Sequence, residues 1–134
     1  GLVDKIPALG LIQSAGCAPI ADSFHRGETD VSTVEFPETS IATLATGNPS
    51  VAYNLLKQHL DTDGGDCATV TDAEAWEMVE KLATTEGILV EPATAVTFAG
   101  VVKLAQQRII QPQETVVINC SGREKDVHSL SFPS

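Results

Sequence analysis

The fold is decided by the segment Thr85-Glu-Gly-Ile-Leu-Val-Glu-Pro-Ala-Thr-Ala-Val-Thr-Phe-Ala-Gly100 and by Glu114-Thr-Val-Val-Ile-Asn-Cys-Ser-Gly122 beyond it. Ile88-Leu-Val90 is a short apolar run, and Pro92 behind it suits the first position of a helix, where its missing N–H costs nothing. Small apolar residues recur at helical spacing up to Ala105, and Thr115-Val-Val-Ile118 is a second apolar run. The pattern predicts two parallel strands joined by a right-handed crossover helix.

A site is expected where these two strands end. In open α/β sheets, ligands bind beyond the carboxyl ends of the strands. Here those ends are followed by Glu91-Pro-Ala-Thr94 and by Cys120-Ser-Gly122. The two segments are therefore the first candidates for a binding site.

The rest of the chain continues the alternation of strands and helices. The predicted elements are a strand within Pro7–Ser14, a helix over Ala18–Arg26, a loop over Gly27–Glu38, a helix over Pro49–Leu60, a strand over Cys67–Val70 and a helix from Thr71 to Thr85. The helix from Thr71 opens with a capping box, and Asn48 is placed to cap the helix over Pro49–Leu60. This predicts an α/β fold: an open, mainly parallel, four-stranded sheet with helices on both faces. Residues 1–122 form one domain, and residues 123–134 form a tail.

Composition excludes several classes of function. The 134 residues carry a formal charge of −10, which argues against nucleic acid or an anionic membrane as a partner. The absence of a long apolar stretch predicts a soluble chain, and the scattered cysteines predict a reducing cytoplasm as its location. Three cysteines and three histidines, widely scattered, indicate neither a disulfide framework nor a metal site. Because the chain starts at Gly1 rather than at Met, we expect a truncated or processed polypeptide.

Eight stretches together resemble the pyridoxal-phosphate enzymes that share the fold of the tryptophan synthase β subunit, and the threonine synthases most closely. Each stretch alone is weakly specific, but their order and spacing cover nearly the whole chain. The stretches are Gly1–Pro7, Gln13–Pro19, Thr39–Thr43, Gly47–Pro49, Val70–Glu74, Leu82–Ile88, Glu91–Ala95 and Val116–Gly122.

The resemblance implies that this chain is only the carboxyl-terminal part of such an enzyme, half of a fold-type II architecture. The family's Schiff-base lysine and its glycine-rich phosphate loop would lie in a missing amino-terminal half, which would be the partner of this chain. The intact parent would use pyridoxal 5'-phosphate to convert O-phosphohomoserine to threonine and phosphate. We expect no catalytic residue, no bound cofactor and no activity in this chain alone, and a possible homo-oligomer.

Four residues match the family's cofactor site. Ser121 matches the residue that faces the pyridine nitrogen, which a hydroxyl can hydrogen-bond without protonating it. Gly122 would permit close approach, Ala42 resembles the small residue packed on the ring face, and Glu91 lies at the edge of the pocket. Each has a structural alternative: a strand-ending turn for Ser121, a left-handed turn for Gly122, ordinary core packing for Ala42 and helix capping for Glu91.

Two departures from the threonine synthase pattern leave other functions open. Ser121-Gly-Arg-Glu-Lys-Asp126 is about one residue short and lacks a second glycine, and Leu44-Ala-Thr46 lacks the basic residue that often precedes Gly-Asn-Pro. One alternative is a standalone, non-catalytic α/β module for assembly or small-ligand binding. The other is a parent enzyme of the serine or threonine dehydratase type, without a phosphorylated substrate.

Overall fold

The computed structural model describes residues 3–123, which form an α/β fold with four α-helices and a two-stranded parallel sheet. The elements are β1 (Leu9–Ser14), α1 (Pro19–His25), a 3-10 helix (Ala42–Leu44), α2 (Ala52–Asp63), β2 (Gly65–Val70), α3 (Asp72–Glu86) and α4 (Pro92–Gln106). β1 and β2 pair in parallel, from Leu9 opposite Gly65 to Ser14 opposite Val70. Their carboxyl ends therefore lie side by side.

The prediction of four strands is wrong for the residues that the structure describes, where two strands are formed. Ile88–Val90 contributes only an isolated antiparallel bridge between Val90 and Arg123, and Thr115–Ile118 forms no strand. Val117 remains 91% exposed. An apolar β-branched run shows that a segment can pair in a sheet, but a strand also needs a neighbouring strand to take its hydrogen bonds. Neither run has such a neighbour in residues 3–123.

Helices α1, α3 and α4 agree with their predicted positions because local signals define their ends. The capping box of α3 is complete, since the Thr71 side chain accepts from the Glu74 N–H while the Glu74 carboxylate accepts from the Thr71 N–H. Gly87 ends the helix in the left-handed conformation, at φ 66°. Pro92 occupies the first turn of α4 as predicted.

Helix α2 starts later than predicted, and Asn48 does not cap it. The Asn48 Oδ1 accepts from the Ser50 N–H at 2.9 Å, which forms a turn ahead of the helix. Ser50 has φ 50°, a left-handed conformation that cannot belong to a helix, so α2 begins at Ala52. The sequence predicts an apolar face for this helix, formed by Val51, Ala52, Leu55, Leu56 and Leu60. Three of these residues are exposed, Val51 at 81%, Leu55 at 60% and Ala52.

The sheet is covered on both faces. Leu11 and Ile12 are adjacent in β1 and so point to opposite sides. Leu11 packs against a cluster from α1, α2 and β2, whereas Ile12 packs against a cluster from α3, α4 and β2. The second contact is close, because a Cβ added to Gly100 of α4 would lie 2.4 Å from the Ile12 Cγ2. Glycine lets α4 approach the sheet directly.

The predicted loop over residues 27–38 has no regular structure and is held in place at several points. The Tyr53 hydroxyl donates to the Glu28 carbonyl at 2.7 Å, and the Ser32 N–H donates to the Ser23 Oγ at 2.9 Å. The Glu38 N–H donates to the Gly16 carbonyl at 2.8 Å. The loop therefore delivers residues 39–44 to a defined position beside the strand ends.

Two further predictions concern the chain as a whole. Within residues 3–123, no helix has both the length and the apolar character needed to cross a membrane. Apart from Arg123, the tail predicted at 123–134 lies outside the described residues.

Candidate functional site

A cleft of about 230 Å³ lies beside the strand ends. It is lined by Ser40, Ile41, Thr43, Trp76, Glu91, Pro92 and Ala93. The residues come from three places: the loop and 3-10 helix around position 42, the first turns of α3, and the start of α4. The lining combines two hydroxyls, one indole and one carboxylate with apolar surface, a mixture typical of small-molecule sites.

One wall of the cleft is fixed by Asp72, at the first position of α3. Its Oδ1 accepts from the Thr39 hydroxyl at 2.6 Å and from the Ser14 hydroxyl at 3.4 Å. Its Oδ2 accepts from the Ser40 N–H at 2.5 Å and from the Ser40 hydroxyl at 2.6 Å. Partial burial acts to raise the pKa of Asp72, but these hydrogen bonds outweigh it and hold the pKa below its ordinary value.

At the start of α4, Glu91, which lines the cleft, lies together with Thr94 and Gly122. The Gly122 N–H donates to the Thr94 Oγ1 at 2.8 Å, and the Val90–Arg123 bridge holds the same segment against the start of α4. A Cβ on Gly122 would lie 2.7 Å from the Glu91 Oε2, so the carboxylate packs directly on the glycine. Glu91 occupies the N-cap position of α4, yet its side chain makes no capping hydrogen bond. Glu91 instead lines the cleft, with its carboxylate against Gly122.

The structure brings the four predicted cofactor residues to one region. Glu91 lines the cleft, and Gly122 touches the Glu91 carboxylate. Ser121 is exposed and directly precedes Gly122, while Ala42 is exposed between two lining residues, Ile41 and Thr43. For Ala42, this exposure argues against the alternative of ordinary core packing.

Sequence reasoning missed three residues of this region. Trp76 lies on the apolar stripe of α3, a pattern that predicts a core residue; it packs against the core of α3 and α4 but is only half-buried and also lines the cleft. The buried Thr94, which holds Gly122, and Asp72, which holds Thr39 and Ser40, were not singled out. Their signal was their place within Glu91–Ala95 and Val70–Glu74, two stretches that carry the resemblance.

Lysine side chains do not line the cleft in the described residues. Lys103 is held elsewhere, with its Nζ donating to the Glu74 Oε2 and to the Thr69 carbonyl, both at 2.8 Å. Burial acts to raise the pKa of Glu74, but hydrogen bonds from Lys103 and Thr71 outweigh it and lower that pKa. Lys57 pairs with Asp61 one helical turn away at 2.7 Å. These two lysines therefore have structural partners.

Cysteines and histidines do not form a further centre in residues 3–123. No group of three or more His, Cys, Asp or Glu side chains there could hold a metal ion. Cys17 and Cys67 are buried and Cys120 is exposed, and all three are free thiols. Burial raises the pKa of Cys67 to about 12, which makes that thiol unreactive at neutral pH.

Comparison with known proteins places this geometry in context. The family described as "Pyridoxal-phosphate dependent enzyme" matches residues 4–122. The threonine synthase of Methanocaldococcus jannaschii is 36% identical over 99% of this chain and 31% of its own length. The threonine synthase of Mycobacterium tuberculosis is 30% identical over the whole of this chain and 36% of its own length. The chain thus spans about a third of the length of these relatives.

Solved structures of low sequence identity share the fold. An L-serine ammonia-lyase from Rhizomucor miehei matches 90% of this chain and 37% of its own with a TM-score of 0.70, at 20% identity. A serine racemase from maize matches 71% of this chain and 28% of its own with a TM-score of 0.60, at 17% identity. At such identities the likeness concerns the fold, not the substrate.

Proposed function

We propose that this chain, which belongs to the family of pyridoxal-phosphate dependent enzymes, forms one wall of a cofactor site whose reactive lysine and phosphate cradle lie in polypeptide outside these residues. The observation that carries the proposal is that Glu91 and the segment around Ala42 line one cleft, with Gly122 directly against the Glu91 carboxylate. The threonine synthase relatives are about three times as long as the matched span, which leaves room for the remaining parts.

The residues present fit a flat aromatic cofactor on its pyridine side. Gly122 would keep that side free of a side chain, and the exposed Ser121 hydroxyl would hydrogen-bond the ring nitrogen. Ala42 would pack on the ring face, and Glu91 would border the pocket. When bound, pyridoxal phosphate supplies an electron sink for bonds broken at the α-carbon of an amino acid. A hydroxyl opposite the nitrogen would not protonate it, so the ring would withdraw electrons less strongly than it would opposite a carboxylate.

The phosphate side of the site is proposed to belong to the partner segment. A phosphate needs clustered backbone N–H groups or fixed cations. No lysine, arginine or glycine lines the cleft in residues 3–123, and the helix that starts there, α4, begins with Pro92, which has no N–H to donate. We infer that the two apolar runs without strand partners, Ile88–Val90 and Thr115–Ile118, join the sheet when that partner segment is present. The complete sheet would then have the four strands that the sequence predicts.

In the intact parent we propose the threonine synthase reaction, conversion of O-phosphohomoserine to threonine and phosphate. The threonine synthase relatives at 30–36% identity support this choice. The test is a chimera in which this chain replaces the corresponding third of the M. jannaschii enzyme. We expect phosphate release from O-phosphohomoserine, reduced about tenfold by Ser121→Ala because one hydrogen bond to the cofactor is lost. The matched control is Ser50→Ala, an exposed serine outside the cleft, which should leave the rate unchanged.

The isolated chain provides a second test. We expect no borohydride-reducible adduct at a unique lysine when the chain alone is mixed with pyridoxal phosphate. A single stoichiometric adduct, mapped by mass spectrometry, would contradict the assignment of the reactive lysine to other polypeptide.

A dehydratase-type parent is the second candidate, and one observation favours it. In residues 3–123 the cleft is lined by Glu91 and by no lysine or arginine, so a substrate phosphate would find no cation among these residues. A serine or threonine substrate needs none. If the chimera forms a 2-oxo acid from serine or threonine and releases no phosphate from O-phosphohomoserine, the dehydratase assignment replaces the first. A non-catalytic module would show neither activity.

A further inference from the structure

We propose that Asp72 is a positioning residue that holds one wall of the cleft in place by acting through Thr39 and Ser40. Only one part of this inference rests on the proposed function, namely that the wall borders a cofactor site. The geometry points to this role because a single carboxylate collects four hydrogen bonds from two separate parts of the chain. We call this arrangement, Asp72 with Ser14, Thr39 and Ser40, the Asp72 anchor.

The anchor joins the sheet to the wall. Ser14 is the last residue of β1, and Asp72 begins α3 two residues after the end of β2. Thr39 and Ser40 lead into the 3-10 helix, whose residues 42–44 continue the wall. That helix has no side-chain cap of its own. Besides the Glu38–Gly16 hydrogen bond and the packing of Ile41 in the core, the Asp72 anchor is a hydrogen-bonded link from the start of this helix to the strand ends.

Both carboxylate oxygens are needed. The Oδ2 accepts from the backbone N–H of Ser40, a group that can only donate. The Oδ1 accepts from the hydroxyls of Thr39 and Ser14. An asparagine keeps only one acceptor oxygen, and its NH2 group can meet the Thr39 and Ser14 hydroxyls only if these turn from donors into acceptors. The Thr39 Oγ1 also accepts from the Ile41 N–H at 3.2 Å, which carries the constraint one residue further into the wall.

The other role open to Asp72 is stabilisation of α3, since an acidic residue in the first turn of a helix is favourable. That role would predict equal loosening along α3. The capping of α3, however, is carried by Thr71 and Glu74, which satisfy each other. Asp72 takes no part in that box, and all of its recorded hydrogen bonds leave the helix.

Asp72→Asn tests the proposal in the chain as it exists, with amide hydrogen exchange followed residue by residue by NMR. We expect the Ser40 amide to exchange several-fold to about tenfold faster, because its charged acceptor is replaced by a neutral amide oxygen, which binds the N–H more weakly. The amide of Val79 in the α3 core should be unchanged. The matched control is Asp30→Asn, an exposed aspartate in the loop 27–38, which should leave the Ser40 amide as it is.

Trp76 supplies an independent spectroscopic readout, since it is the only tryptophan and lines the same cleft as Ser40 and Thr43. Opening of the wall in Asp72→Asn should shift its emission to longer wavelength and raise its quenching by acrylamide. Thr39→Val, which leaves α3 untouched, should shift the emission in the same direction. If Asp72→Asn fails to fold, this variant decides the matter alone.

A coupling measurement completes the test. Ser40→Ala should add little to Asp72→Asn, because the two substitutions break one shared arrangement. An unchanged Ser40 amide in Asp72→Asn, or loosening of Ser40 and Val79 to the same extent, would overturn the proposal. None of these measurements involves the cofactor. An inactive chimera would therefore overturn the proposed function but not the role of the Asp72 anchor. An unchanged exchange rate of the Ser40 amide would overturn the role of the anchor but not the proposed function.

Discussion

Glu28 shows how a single residue organises an irregular segment. Its carboxylate accepts from Arg26 Nε at 2.8 Å and from the Ser32 hydroxyl at 2.9 Å. Its carbonyl accepts from the buried Tyr53 hydroxyl. One residue thus ties the end of α1, the loop 27–38 and helix α2 together.

Glu28 also gives the protein a defined acid sensitivity. Hydrogen bonds from Arg26, and then from Ser23 and Ser32, lower its pKa to about 2. A carboxyl with a lowered pKa in the folded state stabilises the fold above its unfolded pKa, near 4.5, and that contribution is lost as the pH falls towards 2. We expect Arg26→Gln to move the pKa of Glu28 back towards 4.5, measured by carbon-13 NMR of the carboxyl. The control is Arg108→Gln, remote in sequence, and an unmoved Glu28 pKa in Arg26→Gln would contradict the assignment.

At the scale of elements, the contact between α4 and β1 depends on Gly100. A Cβ there would lie 2.4 Å from the Ile12 Cγ2 and 2.5 Å from its Cδ1. Alanine favours a helix over glycine by about 1 kcal/mol, whereas overpacking a core costs about 1–3 kcal/mol. At these distances the clash outweighs the propensity.

We therefore expect Gly100→Ala to lower the free energy of unfolding by about 1–2 kcal/mol, measured by denaturant titration. Ile12→Ala in the same chain should cost less than it does alone, because it removes the clashing atoms. Gly10→Ala is the matched control, since its Cβ would meet only the flexible end of Leu104 at 3.3 Å. Additive effects of Gly100→Ala and Ile12→Ala would show that the two elements do not meet as described.

At the scale of the whole molecule, several apolar residues in and after the second half of α4 are exposed and could contact another polypeptide. Val102, Ile109, Val116 and Val117 are all more than 40% exposed. Exposed apolar surface of this kind is typical of regions that another polypeptide covers. The proposed partner segment would supply that cover in the intact parent.

We expect the isolated chain to self-associate, as seen by sedimentation at rising concentration. Val117→Glu should lower the average mass because a charge would be buried in the contact. Val51→Glu is the matched control, since Val51 is similarly exposed but directly precedes α2, away from this segment in the chain. A monomer at every concentration, or equal effects of the two substitutions, would contradict this expectation.

Features set by interactions between residues close in sequence could be predicted, whereas features set by long-range contacts could not. Helix ends were predictable because their signals are local: the Thr71–Glu74 capping box, the Gly87 stop and Pro92 at the start of α4 all act within a few residues. The start of α2 was not, since the turn at Asn48 and the left-handed Ser50 compete with the helix signal of Pro49. Strand formation was only half predictable, because each strand needs a partner from elsewhere.

The sequence by itself determined the family, the α/β alternation and most of the helix boundaries, since order, spacing and local capping are written along the chain. It also singled out Ser121, Gly122, Ala42 and Glu91. Only the tertiary structure decided that Glu91 lines the cleft instead of capping α4, and that Asp72 reaches the Thr39–Ser40 segment. These contacts join residues about thirty positions apart, and hydrogen bonds over such separations depend on packing that no local pattern encodes.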